Sequence, residues 1–469
     1  MRSTSDRFPE NAARALGDPT LRAALSRLQQ DTRVGRPAIL DRLPEFNAIR
    51  DAASDIRTHG LDHLDVHLEI FERNVQENGG HVHWCRTGDD ACAAIHEICR
   101  ARGAKLIVKG KSMVSEEIAL NDYLLAQDLE VVETDLGEYI LQLRGETPSH
   151  VVMPAIHLTQ DGVSQTFRDH HDDLDAGRDL DEARNLTDEA RDKLRGKFLA
   201  ADIGITGANF LVAETGTAVI VTNEGNGDLT QTLPPVHIVL ASIEKIIPTI
   251  TDALSLIRVL ARSATGQEIT CYTTFATGPR RDGDLDGPEE FHVVLLDNGR
   301  ADLLGGEFRD ILRCIRCGAC QSVCPVYGAI GGHAYGWVYG GPIGAVLTPA
   351  FIGLEGARDL PEASSLCGAC ADVCPVKIPI PDLLRRWRRR SHGQKLSPPR
   401  ARWGLALWAW FASRPELYRP AARIAMAILH WAGGRQGRLH RLPFARGWTV
   451  SRDFPAPEGG TFMDQWRAK

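Results

Sequence analysis

The chain has 469 residues, 43% hydrophobic, 25% charged and 6% aromatic, a composition that excludes a disordered, collagen-like or coiled-coil polypeptide. Its net charge of −7 is unevenly spread: residues 381–469 carry 18 Lys and Arg against five Asp and Glu, or +13, which leaves −20 on the first 380. The length implies several domains and removes any need for disulfide staples, so the crowding of seven of the 11 cysteines between Cys314 and Cys374 points to metal.

The N-terminus lacks the apolar segment of a secretory signal. Residues 1–60 are polar, with Leu21, Leu25 and Leu28 near one-turn spacing, and read as an N-terminal helical arm. From 61 to 300, helical stretches (Leu64 to Asn78, Asp90 to Arg102) alternate with short apolar runs, which predicts an α/β sheet. The strand candidates are residues 106–108, 129–132, 219–221, 237–240 and 292–296. The charge-dense stretch Asp169 to Lys197 reads as a solvated helical excursion. Residues 301–385 carry the cysteine motifs, and the glycines between Gly328 and Gly344 favour loop over helix. Residues 386–469 form a basic, helical, Trp-rich C-terminal region. Seven of the nine tryptophans (Trp387, Trp403, Trp408, Trp410, Trp431, Trp448, Trp466) lie beyond residue 380. A membrane span needs about 20 mostly apolar residues. Trp403 to Ala412 is half that, and Ala421 to Ala432 is interrupted by Arg423 and His430, so no span is predicted.

The first cysteine motif, Cys314-x-x-Cys317-x-x-Cys320-x-x-x-Cys324-Pro325, is the bacterial ferredoxin run. The second, Cys367-x-x-Cys370-x-x-x-Cys374-Pro375, lacks the leading cysteine and has Ser364 in its place. In two-cluster ferredoxins the last cysteine of each run ligates the other cluster. That rule gives Cys314, Cys317, Cys320 and Cys374 to cluster 1, and Cys324, Cys367 and Cys370 to cluster 2. The fourth ligand of cluster 2 stays open between Ser364 oxygen, a partner's residue and a three-iron cluster. A zinc ribbon would close paired cysteines into one tetrahedron, which fits this spacing poorly. Two [4Fe–4S]-type centres imply one-electron transfer. The aromatic residues Tyr335, Trp337 and Tyr339 in the long insert read as a cover over the clusters or a partner surface. Cys85, Cys92, Cys99 and Cys271 read as buried apolar thiols.

The run CIRCGACQSVCPVYGAIGGHAYGWVYGGPIGAVLTP with SLCGACADVCPVKIPIP resembles the iron–sulfur component of the bacterial lactate-utilisation system. KGKSMVSEEIALN (Lys109 to Asn121), ETDLGEYILQL (Glu133 to Leu143) and GANFLVAETGTAVIVTNEGN (Gly207 to Asn226) are similar to the lactate-utilisation domain of that family. The C-terminal GWTVSRDFPAPEGGTFMDQW also resembles it. The resemblance implies an isomerase/CoA-transferase-like α/β domain, then a two-cluster ferredoxin-like domain of helices and loops, then the basic helical tail. It implies the seven cysteine ligands above, with a three-cysteine second motif as a family trait. It implies a role in oxidising L-lactate to pyruvate and supporting growth on lactate. The partners it implies are a cysteine-rich subunit and a small lactate-utilisation-domain subunit. The chain is then an electron-carrying subunit rather than a stand-alone enzyme. The alternative is a metabolite-binding, transferase-like enzyme with structural or redox-sensing clusters.

No residue is identifiable as catalytic. Glu214, in Glu214-Thr215-Gly216-Thr217, has a counterpart in the transferase fold but no recognisable base or oxyanion donor beside it, so a structural or orienting carboxylate is favoured. Lys109-Gly110-Lys111-Ser112 and Thr222 to Gly227 are candidate lactate- or phosphate-facing loops. His150 and His157 read as core or surface histidines. The basic run Arg385 to Arg390 has no nucleic-acid fold with it, so no nucleic-acid partner is predicted. Docking of the tail on a protein surface ranks ahead of peripheral membrane contact. The predicted compartment is the cytoplasm, whose reducing conditions suit iron-bound thiolates.

Overall fold

A computed structural model describes residues 3–172, 177–442, 449 and 452–467. The chain divides into two units, residues 1–390 and residues 391–469.

The larger unit opens with helices α1 (Phe8–Leu16), α2 (Pro19–Leu40), α3 (Phe46–Asp62) and α4 (Leu64–Glu77). Asp18 caps α2 by accepting from the amides of Thr20 and Leu21, and Pro19 at the first helical position needs no amide partner. Among the described residues ten strands follow: β1 (His81–Cys85), β2 (Leu106–Lys109), β3 (Glu130–Glu133), β4 (Ile203–Thr206), β5 (Phe210–Val212), β6 (Thr217–Thr222), β7 (Val236–Ser242), β8 (Ile246–Ile247), β9 (Tyr272–Ala276) and β10 (Glu290–Leu296). Six make a parallel sheet in the order β1-β10-β7-β4-β2-β3. The other four make a mixed sheet in the order β8-β5-β6-β9. The central strands are Val- and Ile-rich because helices cover both faces of a parallel sheet. One face packs Ile95, Ile107, Ile205 and Leu240, and the other Phe71, Val239, Val293 and Leu295.

Two readings of this region change. The helix Ala183–Ala200 is not merely solvated: Leu186, Ala190, Leu194 and Phe198 recur at helical spacing and are buried against Val108 and Val132. The glycine-rich insert is not all loop. Helix Gly341–Ile352 begins inside it and is buried through nearly its whole length. Its glycines serve close packing: a Cβ on Gly332 would lie 1.8 Å from the Ser149 carbonyl oxygen, and one on Gly344 1.9 Å from that of Tyr339.

The smaller unit contains helices Pro399–Ala412 and Pro415–Gly433, a short antiparallel pair (Arg438–Leu439 with Phe454–Pro455) and helix Phe462–Arg467. Trp403, Leu407, Trp408, Ile424, Ile428 and Trp431 are exposed. Trp448 lies outside the described residues. Among the described residues no helix is long and apolar enough to cross a membrane.

Candidate metal centre

The two cysteine motifs fold as local copies of each other. Each contains Cys-Gly-Ala-Cys, residues 317–320 and 367–370. In each, the residue before the first of these cysteines is left-handed (Arg316, φ 59°; Leu366, φ 55°), and so is the glycine (Gly318, φ 73°; Gly368, φ 91°). A left-handed non-glycine residue costs roughly 1–2 kcal/mol, so holding both Arg316 and Leu366 there requires support from their surroundings. A short helix then carries the next cysteine: Ala319–Val323 for Cys320 and Ala369–Asp372 for Cys370. The parallel extends to the missing cysteine. The Arg316 amide donates to Cys314 Sγ at 3.4 Å, and the Leu366 amide donates to Ser364 Oγ at 3.1 Å. Ser364 therefore takes the turn-closing role that Cys314 has in the first motif.

One cavity, with about 460 Å³ between atoms when its open mouth is included, is lined by Cys314, Cys317, Cys320 and Cys374 together with Tyr339 and Ile378. Cys324, Cys367 and Cys370 lie outside that lining. They form a second neighbourhood in which Cys367 is exposed and the other two are buried. Burial, then the charge of neighbouring thiolates, pushes Cys317 up to about 12 and Cys320 well above the usual thiol range. Such a set ionises only with cations in its midst, so the donors fit a cationic, thiophilic cluster. Among the described residues, no three His, Cys, Asp or Glu side chains converge on a single ion position. Further amide support comes from Ile378, whose N–H reaches Cys374 Sγ at 3.4 Å.

The N-terminal helices hold these loops. From α2, Gln29 donates to the Cys324 carbonyl at 2.9 Å and Arg36 to that of Val373 at 2.7 Å. From α3, Arg50 donates to the carbonyls of Cys374 (2.7 Å) and Asp372 (2.8 Å). Arg57, fully buried, bonds the carbonyls of Ile246 (3.0 Å) and Leu312 (2.9 Å) and also that of Glu244. Sequence reading missed all four, because a polar helical residue does not announce a carbonyl target some 190 to 340 positions away.

Beside the cavity lies a buried ionic network. Arg300 meets Glu117 through two hydrogen bonds (3.0 and 2.8 Å) and Glu244 through an ion pair at 2.8 Å. Arg316 pairs with Glu244 at 3.5 Å and stacks over Tyr339, whose hydroxyl donates to Glu117. Burial alone would raise both glutamates. Arg300 reverses that for each, helped by Tyr339 and Asn298 at Glu117 and by Arg316 at Glu244, which is held down to about 2. Burial, then the charge of Arg316, lowers Lys245 to about 7. Tyr335 and Tyr339 are fully buried and Trp337 nearly so, so these aromatic residues offer no partner surface, and Tyr339 lines the cysteine cavity.

The remaining candidates separate. Glu214 is exposed, and its carboxylate accepts from the Ile250 amide at 3.2 Å. Lys109 is buried, 2.7 Å from Glu133 and 3.6 Å from Glu116. Lys111 is partly exposed; its ammonium reaches the Val152 carbonyl at 2.9 Å. In the loop Thr222 to Gly227, Glu224 is raised chiefly by burial. His157 bonds Ser149 and Glu146. His150 is fully buried; both the Val152 and Met153 amides donate to its Nδ1 at 3.1 Å, and burial lowers it to about 3. Cys85, Cys92 and Cys99 are buried thiols raised chiefly by burial, but Cys271 is exposed, contrary to expectation, because it sits in the turn before β9. The basic run lies on helix Ile380–Gly393 and serves packing: Trp387 is buried and stacked on Phe308 at 3.9 Å, Arg388 bonds the Pro361 and Ser364 carbonyls, and Arg390 pairs with Glu307.

Comparisons with known proteins agree with this architecture. Residues 68–296 match the LUD domain family and residues 310–378 the 4Fe-4S dicluster domain family. The chain is 43% identical to lactate utilization protein B of Shouchella clausii (strain KSM-K16), over 98% of this chain and 97% of that protein. It is 42% identical to lactate utilization protein B of Bacillus licheniformis, over 99% and 97%. It is also 42% identical to the uncharacterized electron transport protein YkgF of Escherichia coli (strain K12), over 100% and 98%. A lactate-utilisation α/β domain followed by an iron–sulfur domain, matched end to end by these relatives, means that the chain belongs to the lactate utilization protein B family.

Proposed function

We propose that this iron–sulfur protein carries electrons in the oxidation of L-lactate to pyruvate, as one subunit beside a cysteine-rich protein and a small lactate-utilisation-domain protein. The observation that carries the reading is that four of the seven cysteines line one cavity while the other three, with exposed Cys367 among them, lie outside it. Cys314, Cys317, Cys320 and Cys374 hold cluster 1, and Cys324, Cys367 and Cys370 hold cluster 2. When bound, such clusters pass single electrons. The chain's own residues keep water from cluster 1 (Tyr339, Ile378), fix the loops (Gln29, Arg36, Arg50) and place arginine charge beside the site (Arg316). Cys367, being exposed, suits cluster 2 as the exchange point with a partner protein. The fourth position of cluster 2 falls to Ser364 oxygen or a partner's residue, or the cluster has three irons. A reducing, cytoplasmic setting suits the iron-bound thiolates that this reading requires. The exposed tryptophans of residues 391–469 suit a protein partner ahead of a membrane surface.

Anaerobic reconstitution, iron and sulfide analysis and EPR on the full chain test this. The expected result is two reducible centres that take electrons when L-lactate and the two partner proteins are added. Centres that stay oxidised under those conditions would refute electron carriage and favour a structural or sensing role.

A further inference from the structure

Arg316 lines the cavity shared by Cys314, Cys317, Cys320 and Cys374, and its side chain is 12% exposed. Its Nη2 reaches Glu244 at 3.5 Å, and its Cζ lies 4.7 Å from the centre of the Tyr339 ring. Its Nη1 is buried and has no hydrogen-bond partner. A buried charged donor left unpaired is costly, so this guanidinium calls for an acceptor that the chain does not supply. The surrounding charge is unbalanced in the same sense. Arg300, Arg316, Glu117 and Glu244 sum to zero. Arg57 then adds a fully buried cation that bonds only carbonyls, among them those of Leu312 (2.9 Å) and Arg313 (3.3 Å), just before Cys314. Arg36 and Arg50 bond the carbonyls of Val373 and Cys374. Among the described residues, none of these three arginines has a carboxylate oxygen within 4 Å. Asp41 and Asp372 share an open cleft with Arg36 and Arg50, but both are exposed, where water and salt screen them. Arg313 and Lys377 are offset by Asp310 and Asp51. The loops of cluster 2 carry no such surplus. Neutral Gln29 holds Cys324, and Arg388, which bonds the Ser364 carbonyl, is paired with Glu362 at 3.3 Å.

We propose that cluster 1 is the anionic partner these arginines lack, and that Arg316 above all sets its reduction potential. Reduction adds one electron, hence one negative charge, to a thiolate-ligated cluster, and no bond in the protein forms or breaks. Burial disfavours the more highly charged reduced form. A cation held in the same poorly solvated place favours it and offsets that effect. Because the surplus charge gathers at cluster 1 and not at cluster 2, the two centres are tuned separately. The inference rests on the electron-carrying reading for the presence of the cluster, and on this chain's charges for its potential.

The test is a mediated redox titration of the cluster-loaded full chain, with dithionite as the electron donor and EPR as the readout. It is run near pH 6, below the value of about 7 to which burial brings Lys245, so that this neighbour stays charged. Cys367→Ala, which removes an exposed ligand of cluster 2, identifies the midpoint that belongs to cluster 1. Arg316→Gln should lower that midpoint. The reduced-to-oxidised ratio at a fixed potential should fall about tenfold, or about 59 mV for a one-electron couple, while the cluster 2 midpoint moves less than half as far. Arg316→Lys should recover most of the loss. Glu244→Gln should shift the cluster 1 midpoint upward, an opposite sign that loosened packing would not produce. Arg36→Gln, whose amide can still donate to Val373, should lower the ratio severalfold and decides the matter if Arg316→Gln does not retain iron. Unchanged midpoints in the loaded variants, or shifts of the same sign in Arg316→Gln and Glu244→Gln, overturn the assignment. Clusters reduced by dithionite but not by L-lactate with the partner proteins sink electron carriage and leave the charge assignment standing. Clusters reduced by L-lactate whose midpoints ignore Arg316 do the reverse.

Discussion

Replacing Arg300 by Met tests how the α/β domain is joined to the cluster region. Arg300 and Glu117 have no exposed side-chain surface, and Glu244 almost none. The substitution removes a two-bond pair to Glu117, the ion pair to Glu244 and a 3.0 Å bond to the Asp297 carbonyl. Two buried carboxylates are left, of which Glu244 keeps Arg316 and Glu117 keeps only Asn298 and Tyr339. Breaking a buried pair from one side costs about 3–5 kcal/mol, mostly for the charge left behind. At a urea slope of about 3 kcal/mol per molar, that is a midpoint shift of about 1–1.7 M. Glu117→Gln should cost less, about 1.5–3 kcal/mol, because Arg300 retains Glu244. Urea titrations followed by circular dichroism and by tryptophan fluorescence give both numbers. The double variant should fall short of the sum of the single effects by about 0.5–3 kcal/mol. An Arg300→Met midpoint within about 0.3 M of the parent, roughly 1 kcal/mol at that slope, would refute the claim that this network ties the two regions together.

Four further outcomes are expected. Gly332→Ala should destabilise by about 1–3 kcal/mol or more, visible as a lower melting midpoint, since its Cβ would fall 1.8 Å from the Ser149 oxygen. Stability should decline on acidification from about pH 4.5 towards pH 2. Glu117 and Glu244 have lowered pKa values in the fold, so their contribution is complete above the unfolded value near 4.5 and is lost as pH falls through the folded ones, about 2 for Glu244. Glu244→Gln should flatten that decline in an acid titration followed by circular dichroism. Arg50→Ala should lower iron content or speed iron loss to a chelator at least severalfold, because the carbonyls of Cys374 and Asp372 lose their shared donor. Ser364→Ala should keep full iron and sulfide content if the hydroxyl only closes the turn at Leu366, and a loss of iron would assign Ser364 as a ligand.

Much of this was legible in the sequence, for identifiable reasons. Strands such as residues 237–240 and 292–296 stood out because burial on both faces of a parallel sheet demands uninterrupted apolar runs. The cysteine sets stood out because cluster ligation fixes residue type and spacing together. The helix from Gly341 did not, since glycine normally weakens a helix, and only the approach of Gly344 to Tyr339 explains its use. The core-facing stripe of residues 183–200 was masked by the charges between its apolar positions. Lys111 and His150 drew attention separately, whereas the meeting of His150 and Gln321 beside Gly318 joins segments about 170 residues apart that no local pattern links.

The grip of α2 and α3 on the cysteine loops has a consequence for biogenesis. Gln29, Arg36 and Arg50 leave the ribosome roughly 300 residues before the carbonyls they bind. Those helices must therefore wait, without their final partners, until Cys324 and then Cys374 are made. Such closure over long sequence distance is slow and leaves sticky intermediates exposed. Metal delivery before that closure would meet loops lacking their N-terminal clamp, so cluster retention becomes a report that synthesis has run past the second motif and the first helices have come home.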